Sequence, residues 1–156
     1  MAVPVKYEQV VFCALSEFQL ALYRHFITSP EIKALLRGQD SQPLKAINIL
    51  KKLCNHPELL NLPDDLRGSE LLIPEGFNGP GATSSGKGRN QSVRCDWSGK
   101  FLVLDRCVGT NSDGMDTDIR RRFLHQIHTQ TDDKIVLISN YTQTLDLFEK
   151  LCRSKK

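Results

Sequence analysis

The sequence lacks the features that define several common classes of protein. No apolar run approaches the roughly 20 residues of a membrane-spanning helix, and no basic region followed by an apolar core suggests a secretory signal. The five cysteines, at 13, 54, 95, 107 and 152, include no Cys-x-x-Cys spacing, which argues against a zinc site and favours reduced thiols. No Ser-His-Asp or Cys-His arrangement suggests nucleophilic catalysis.

What remains is the composition of an ordinary globular domain. The chain has 156 residues, enough for one such domain, and a net charge of +3. A charge this small permits contact with nucleic acid but does not argue for it, because a nucleic-acid footprint is usually a concentrated basic patch.

The first strong structural signal is a helix start at Ser16. Gln19, three residues later, completes a capping box with it. Phe18, Leu22 and Phe26 fall on one stripe, which predicts a buried helix face.

Two further helices are predicted before residue 57. Ser29 and Pro30 form the cap and first turn of one, and Gly38 is placed to end it. The other runs from about 43 to 55 and is stopped by Pro57. Its predicted apolar side consists of Ala46, Ile47, Leu50, Leu53 and Cys54.

The remaining segments predict strands, a long loop and a last helix. Residues 7–15 and 134–139 have the composition of strands, and the second is typical of a strand buried on both faces of a parallel sheet. Residues 62–97 are rich in Gly, Pro, Ser and Asn and predict a long loop or partly disordered linker. Residues 144–153 predict an amphipathic helix, which with 134–139 makes half of a βαβ unit.

Residues 107–122 interrupt another helical pattern. If they are removed, Phe101, Leu104, Leu124 and Ile127 fall on one face of a single helix. Our hypothesis is that this segment is a foreign insertion translated from a retained intron, and the alternative is a natural surface loop. Sequencing the spliced transcript decides between them, since a mature message that still encodes these residues would exclude the intron.

Three possible ligand sites have simpler explanations. Residues 81–88 come close to a P-loop, but Gly88 stands where the magnesium-binding Ser or Thr is needed and no strand precedes the glycines, so linker composition explains them better. His125 and His128 have helical i, i+3 spacing but no third metal ligand. Asp132 and Asp133 precede the predicted strand, whereas catalytic carboxylates gather at the other end of such strands, so a solvated turn fits them better.

Residues 139–144, Ser-Asn-Tyr-Thr-Gln-Thr, follow a predicted strand and open a helix. Backbone N–H groups and hydroxyls at such a place suit a phosphate. Helix capping explains the same residues equally well.

Three blocks of sequence carry a resemblance to a known family. They are residues 50–59 (LKKLCNHPEL), 98–104 (SGKFLVL) and 133–153, which begins with the strand-like run and continues as SNYTQTLDLFEKLCR. This order resembles Swi/Snf-type helicase-like ATPases, at the passage into their second RecA-like lobe. The third block resembles the homologous-recombination branch, the Rad fifty-four-like proteins, and residues 10–38 and 59–65 look like its fungal members.

The resemblance implies an α/β fold seen only in part and mostly helical with few strands. Residues 1–62 would be the end of the first lobe and its helical extension, and 63–97 a flexible linker. Residues 98–156 would be the first strand and helix of the second lobe, interrupted by the insertion at 107–122. The rest of the translocase would be needed to complete the sheet.

The family implies ATP-driven translocation on double-stranded DNA, recombinase filaments as partners and a nuclear location. ATP and magnesium are cofactors of the parent family, but this chain holds neither set of phosphate-binding and catalytic motifs, so we expect no cofactor and no ATPase activity from it alone. DNA-stimulated ATP turnover above buffer background would contradict this.

Two alternatives remain, a non-catalytic module that binds DNA or a recombinase, and a small P-loop NTPase. The genomic sequence on either side would separate the translocase fragment from these alternatives, according to whether helicase motifs flank this reading frame.

Only residues 139–144 fall on a helicase motif, one placed near the nucleic-acid backbone in this superfamily. The predicted DNA contacts are therefore Ser139, Asn140, Tyr141, Thr142, Gln143 and Thr144, with Lys51, Lys52 and Lys100 as further phosphate contacts. For each lysine, a solvated face is the competing explanation. No catalytic or metal-binding residue is predicted.

Overall fold

The computed structural model of the chain describes residues 5–38, 43–77, 79–80, 93–108, 130–132 and 134–154. Five α-helices have both ends within these ranges: α1 (Glu17–Thr28), α2 (Pro30–Leu36), α3 (Pro43–Asn55), α4 (Gly99–Val108) and α5 (Thr142–Ser154). Three short 3₁₀ helices, Pro57–Leu59, Glu70–Leu72 and Cys95–Trp97, lie between them.

The predicted capping box at the start of α1 is confirmed. The Ser16 hydroxyl accepts a hydrogen bond from the Gln19 backbone N–H at 3.2 Å, and the Gln19 side-chain oxygen accepts one from the Ser16 N–H at 3.1 Å. These two bonds satisfy N–H groups that a helix start otherwise leaves without partners.

The predicted helices α2 and α3 are both present, but one residue of the predicted apolar side of α3 is not buried. Ser29 caps α2, with Pro30 in its first turn, and Gly38 follows its end with a φ of 71°, a conformation that favours glycine. Helix α3 spans the predicted residues. Ile47, however, is exposed, because the part of α3 that faces α1 is centred on Leu53.

A first hydrophobic cluster packs α1 against α3. Its buried members are Leu22, Phe26, Leu53, Leu60 and Leu66, and residues from α2 and from the 3₁₀ helix at 70–72 cover its edges. The apolar stripes predicted from the sequence of α1 and α3 therefore meet each other.

A second cluster joins α4 and α5 to the 3₁₀ helix at 57–59. Its buried members are Leu59, Val93, Phe101, Leu147 and Leu151. Leu59 belongs to this cluster and Leu60 to the first, so the two clusters adjoin at this pair of residues.

The prediction of strands at 7–15 and 134–139 is wrong for this chain. Within the described residues no segment is a β-strand, and both stretches are irregular and largely exposed. Phe12 is 94% exposed and Ile138 86% exposed. A strand is stable only when a neighbour pairs with its backbone, and no described segment pairs with either stretch.

Within the predicted loop at 62–97, the structure describes residues 62–77, 79–80 and 93–97, which hold two short 3₁₀ helices and several packed apolar side chains. Leu62, Leu66 and Leu72 contribute to the first cluster. The ring of Phe77 lies 5.8 Å from that of Phe18 and 5.6 Å from that of Trp97. The apolar side chains within a Gly- and Pro-rich composition account for this packing.

Several predictions fall outside the described residues. They are the P-loop-like segment at 81–88, most of the proposed insertion at 107–122, both members of the His125 and His128 pair, and Asp133. In the part of the chain that the structure describes, no helix is long and apolar enough to cross a membrane.

Candidate nucleic-acid interface

A cleft of about 400 Å³ opens where α3 ends and α4 and α5 begin. The segment that leads into α5 forms one of its walls. The lining residues are Lys51, Asn55, Lys100, Phe101, Leu104, Leu137, Ile138, Ser139, Asn140, Tyr141, Thr144 and Phe148.

The cleft brings together six of the nine DNA contacts predicted from the sequence. These are Lys51, Lys100, Ser139, Asn140, Tyr141 and Thr144. The other three do not line it: Lys52 is half-buried elsewhere on α3, and Thr142 and Gln143 are exposed in the first turn of α5. Residues separated by about 90 positions in the sequence therefore share one concave surface.

A hydrogen bond joins the end of α3 to the start of α5 at the base of the cleft. The Asn55 side-chain amide donates to the Thr144 hydroxyl at 2.7 Å. The Ser98 hydroxyl donates to the Asn55 carbonyl at 2.5 Å and accepts from the Phe101 N–H at 3.3 Å, which ties in the start of α4.

The turn into α5 is stabilised by its own residues. The Ser139 hydroxyl accepts from the Tyr141 N–H at 3.2 Å, and the Tyr141 carbonyl accepts from the Thr144 N–H at 3.1 Å. Part of this segment is thus a turn that leads into α5. The N-terminal end of α5, where the helix dipole is positive, borders the cleft.

The charged residues that line the cleft are both basic. Lys51 and Lys100 are both exposed, and none of the described residues that line the cleft is acidic. Burial raises the pKa of the Cys54 thiol, and the nearby Lys100 charge opposes that rise. Two cations beside a helix N-terminus form a surface suited to an anion.

Gln19 holds together the two helices that carry these lysines. Its buried side chain donates to the Leu53 carbonyl of α3 at 2.8 Å and accepts from the Gly99 N–H of α4 at 3.0 Å. Leu53 is two residues after Lys51, and Gly99 immediately precedes Lys100. A single buried amide therefore links the backbone on which both cations are mounted.

His56 is a structural residue next to this site. Its Nδ1 accepts from the Glu58 N–H at 3.2 Å, so the proton is on Nε2, which donates to the Arg94 carbonyl at 3.3 Å. Burial lowers its pKa to about 4, against the opposing effects of the Arg94 carbonyl and the Asp96 charge. A buried ring with both nitrogens engaged is not placed to bind a ligand.

The histidines and other metal-ligating side chains of the described residues are not clustered. Among them, no group of three or more His, Cys, Asp or Glu side chains is arranged to hold a metal ion. The His25 ring contacts the Arg67 carbonyl at 2.8 Å.

Sequence reasoning missed two polar residues of the site, Asn55 and Ser98. Both lie within the blocks that carry the family resemblance, Asn55 in Asn-His-Pro and Ser98 in Ser-Gly-Lys. A polar side chain at the last position of an amphipathic helix was the available signal for Asn55. Nothing in the sequence indicated that its partner would be Thr144, 89 positions later.

Comparison with known proteins first identifies a related protein family. A family model described as the SNF2-related domain matches residues 1–59. No solved structure shows a significant match to this chain.

Three relatives identify the kind of SNF2-related protein that this chain resembles. The chain is 57% identical over 152 residues to the DNA repair protein rhp54 of Schizosaccharomyces pombe and 46% identical over 154 residues to the DNA repair and recombination protein RAD54 of Saccharomyces cerevisiae. It is 38% identical over 160 residues to the RAD54-like protein of Mus musculus. These matches cover 97%, 97% and 98% of this chain but only 16%, 15% and 18% of the three relatives.

Over nearly its whole length this chain is similar to Rad54-like, SNF2-related proteins, and this similarity confirms the resemblance predicted from its three blocks. Identity to the two yeast relatives exceeds that to the mouse relative, in agreement with the fungal resemblance of the sequence.

Proposed function

We propose that this chain is a segment of an ATP-dependent double-stranded-DNA translocase of homologous-recombination repair, and that its cleft contacts the DNA backbone. The convergence of Lys51, Lys100 and the start of α5 on one concave surface without acidic lining carries the proposal. Kinship with proteins named for DNA repair and recombination gives that surface its context.

The character of the cleft favours phosphate over a base edge as the group it contacts. Two lysines are flexible point charges, which suit phosphate oxygens and carry no sequence information. The contact we propose is therefore independent of DNA sequence and weakened by salt. Such a contact suits a motor that moves along any sequence.

The whole translocase supplies the other parts of this proposal. ATP and magnesium belong to the parent protein, its location is the nucleus, and a recombinase filament is its partner. The exposed apolar residues 135–138 favour contact with further protein, because four consecutive exposed apolar side chains are costly in water. The alternative, a non-catalytic DNA- or recombinase-binding module, uses the same cleft without the motor.

Duplex binding by lysine variants tests the cleft. Fluorescence anisotropy with a labelled 20-base-pair duplex gives the dissociation constant at several salt concentrations for the unchanged chain, Lys51→Gln and Lys100→Gln. Each substitution should reduce the slope of log affinity against log salt by about 1, because one phosphate contact is lost.

Lys45→Gln is the matched control. Lys45 is an exposed lysine on the same helix as Lys51 but does not line the cleft, so the slope should not change. Equal effects of all three substitutions would indicate general attraction to DNA and would overturn the assignment to the cleft.

A further inference from the structure

Thr144 was predicted from the sequence as a DNA contact, but its position in the structure does not suit that role. It is only 8% exposed, and its hydroxyl accepts the hydrogen bond from the Asn55 side chain. A side chain so enclosed, with its oxygen already in contact with another residue, is poorly placed to reach a phosphate. It is well placed to fix the segment around it.

Asn55, near the end of α3, forms hydrogen bonds with both segments that meet α3 at the cleft, the start of α5 and the residue before α4. It lies four residues after Lys51 on α3 and so shares a helix face with that lysine. Its side chain donates to Thr144 at the start of α5, and its carbonyl accepts from Ser98, two residues before Lys100. One residue therefore sets the separation between the first lysine, the second lysine and the N-terminal end of α5.

We propose that Asn55 and Thr144 are positioning residues of the cleft, which hold the two lysines and the start of α5 in register for one stretch of DNA backbone. This inference rests on the proposed function, because it assigns a role within the same DNA contact. Without the hydrogen bond, Lys51 and α5 still carry their charges, but these no longer converge on one anion.

A double-mutant comparison tests the positioning role. Thr144→Val removes the hydroxyl with almost no change of shape and should weaken duplex binding about two- to tenfold, as the loss of one buried hydrogen bond implies. In the Thr144→Val background, Lys51→Gln should then cost much less affinity than it does in the unchanged chain. Such non-additivity is expected only of residues that act together.

Conservative replacement separates positioning from bulk stability. Thr144→Ser keeps the hydroxyl and should restore most of the affinity and the full effect of Lys51→Gln. All binding is measured at a temperature where circular dichroism shows each variant fully folded. Asn55→Ala, which removes the other half of the pair, should reproduce Thr144→Val and serves in its place if that variant does not fold.

Two negative results have different meanings. If neither Lys51→Gln nor Lys100→Gln changes binding in the unchanged chain, the proposed DNA contact itself fails. If both do, but folded Thr144→Val keeps the original affinity and the original effect of Lys51→Gln, the cleft binds DNA and the positioning inference is overturned.

Discussion

The two hydrophobic clusters of this chain are built in different ways. The first draws all its buried residues from positions 22 to 66, and α1, α3 and the segment that follows α3 supply them. The second draws on positions from 59 to 151, so distant parts of the chain must meet to form it. Both have fully or almost fully buried leucines at their centres, Leu22 in the first and Leu151 in the second.

The surroundings of the clusters differ more than their centres do. The first is covered by part of α2 and by Leu62 and Leu72, which pack onto it. The second is approached by residues 135–138, whose four apolar side chains remain exposed. The first cluster is thus enclosed by residues close to it in the sequence. The apolar stretch that leads into α5, which belongs to the second cluster, is uncovered. We therefore expect the first to be the more stable of the two.

Gly99→Ala should produce the largest loss of stability, because the added Cβ would clash with the backbone just before α1. A Cβ at Gly99 would lie 1.7 Å from the Ala14 carbonyl oxygen, and backbone atoms cannot yield as a flexible side chain can. The start of α4 would have to move away from the residues before α1. We expect the free energy of unfolding to fall by about 4 kcal/mol or more, as measured by urea denaturation.

Gly38→Ala is the control for this substitution. Its Cβ would meet nothing within 4 Å, but its φ of 71° is unfavourable for alanine. It should cost only about 1 kcal/mol from backbone conformation. If Gly99→Ala costs no more than Gly38→Ala, the close approach to Ala14 is not a feature of the protein in solution.

Leu22→Ala and Leu151→Ala compare the clusters directly. Removing a buried leucine side chain costs transfer energy and leaves a cavity, which together amount to about 2–5 kcal/mol. We expect about 3–4 kcal/mol for Leu22 and about 2 kcal/mol for Leu151, because α5 lies near an uncovered stretch and its last turn can relax into the cavity.

Amide hydrogen exchange gives the same comparison without substitution. Amides in the middle of α1 and α3 should exchange more slowly than those in the middle of α5. Equal protection in all three helices, together with equal costs for the two leucines, would show that the clusters unfold as one unit and would remove the distinction drawn between them.

The sequence was most informative where the physics is local. The Ser16 capping box, the Ser29 cap and the end of α2 at Gly38 each depend on residues a few positions apart, and all three predictions are confirmed. The strand predictions were wrong for the opposite reason. A run such as residues 134–139 has the composition of a strand, but pairing depends on residues elsewhere, which local composition cannot supply.

The candidate site was predictable in its components but not in its arrangement. Family resemblance selected Lys51, Lys100 and residues 139–144, and the structure brings most of them to one cleft. The hydrogen bond between Asn55 and Thr144 was beyond prediction, because it forms only after α3 and α5 have packed. The same packing turned Thr144 from an expected contact into a buried residue.

The smallest expected effect concerns Glu58, a partly buried carboxyl between the clusters. Burial raises its pKa from 4.5 to about 7, with the Lys150 charge on α5 opposing the rise. A raised pKa favours the protonated form in the fold, so this group's contribution to stability is complete below pH 4.5 and is lost as the pH rises to about 7. The neighbouring His56 acts in the opposite sense: its pKa is lowered from 6.5 to about 4, so its contribution is complete above pH 6.5 and is lost as the pH falls.

Glu58→Gln should therefore leave the His56 dependence alone, so that stability rises with pH from 4 to 6.5 and then levels off. Relative to the unchanged chain, the variant should gain about 1–2 kcal/mol between pH 4.5 and pH 7.5, less than the full pKa change implies, because water screens the exposed part of the carboxyl. Urea denaturation at pH 4.5, 5.5 and 7.5 measures this. Glu149→Gln, an exposed carboxyl on α5, is the matched control and should show no such gain. If Glu58→Gln gains nothing either, the carboxyl is solvated in solution, and the junction between the clusters is looser than Leu59 and Leu60 indicate.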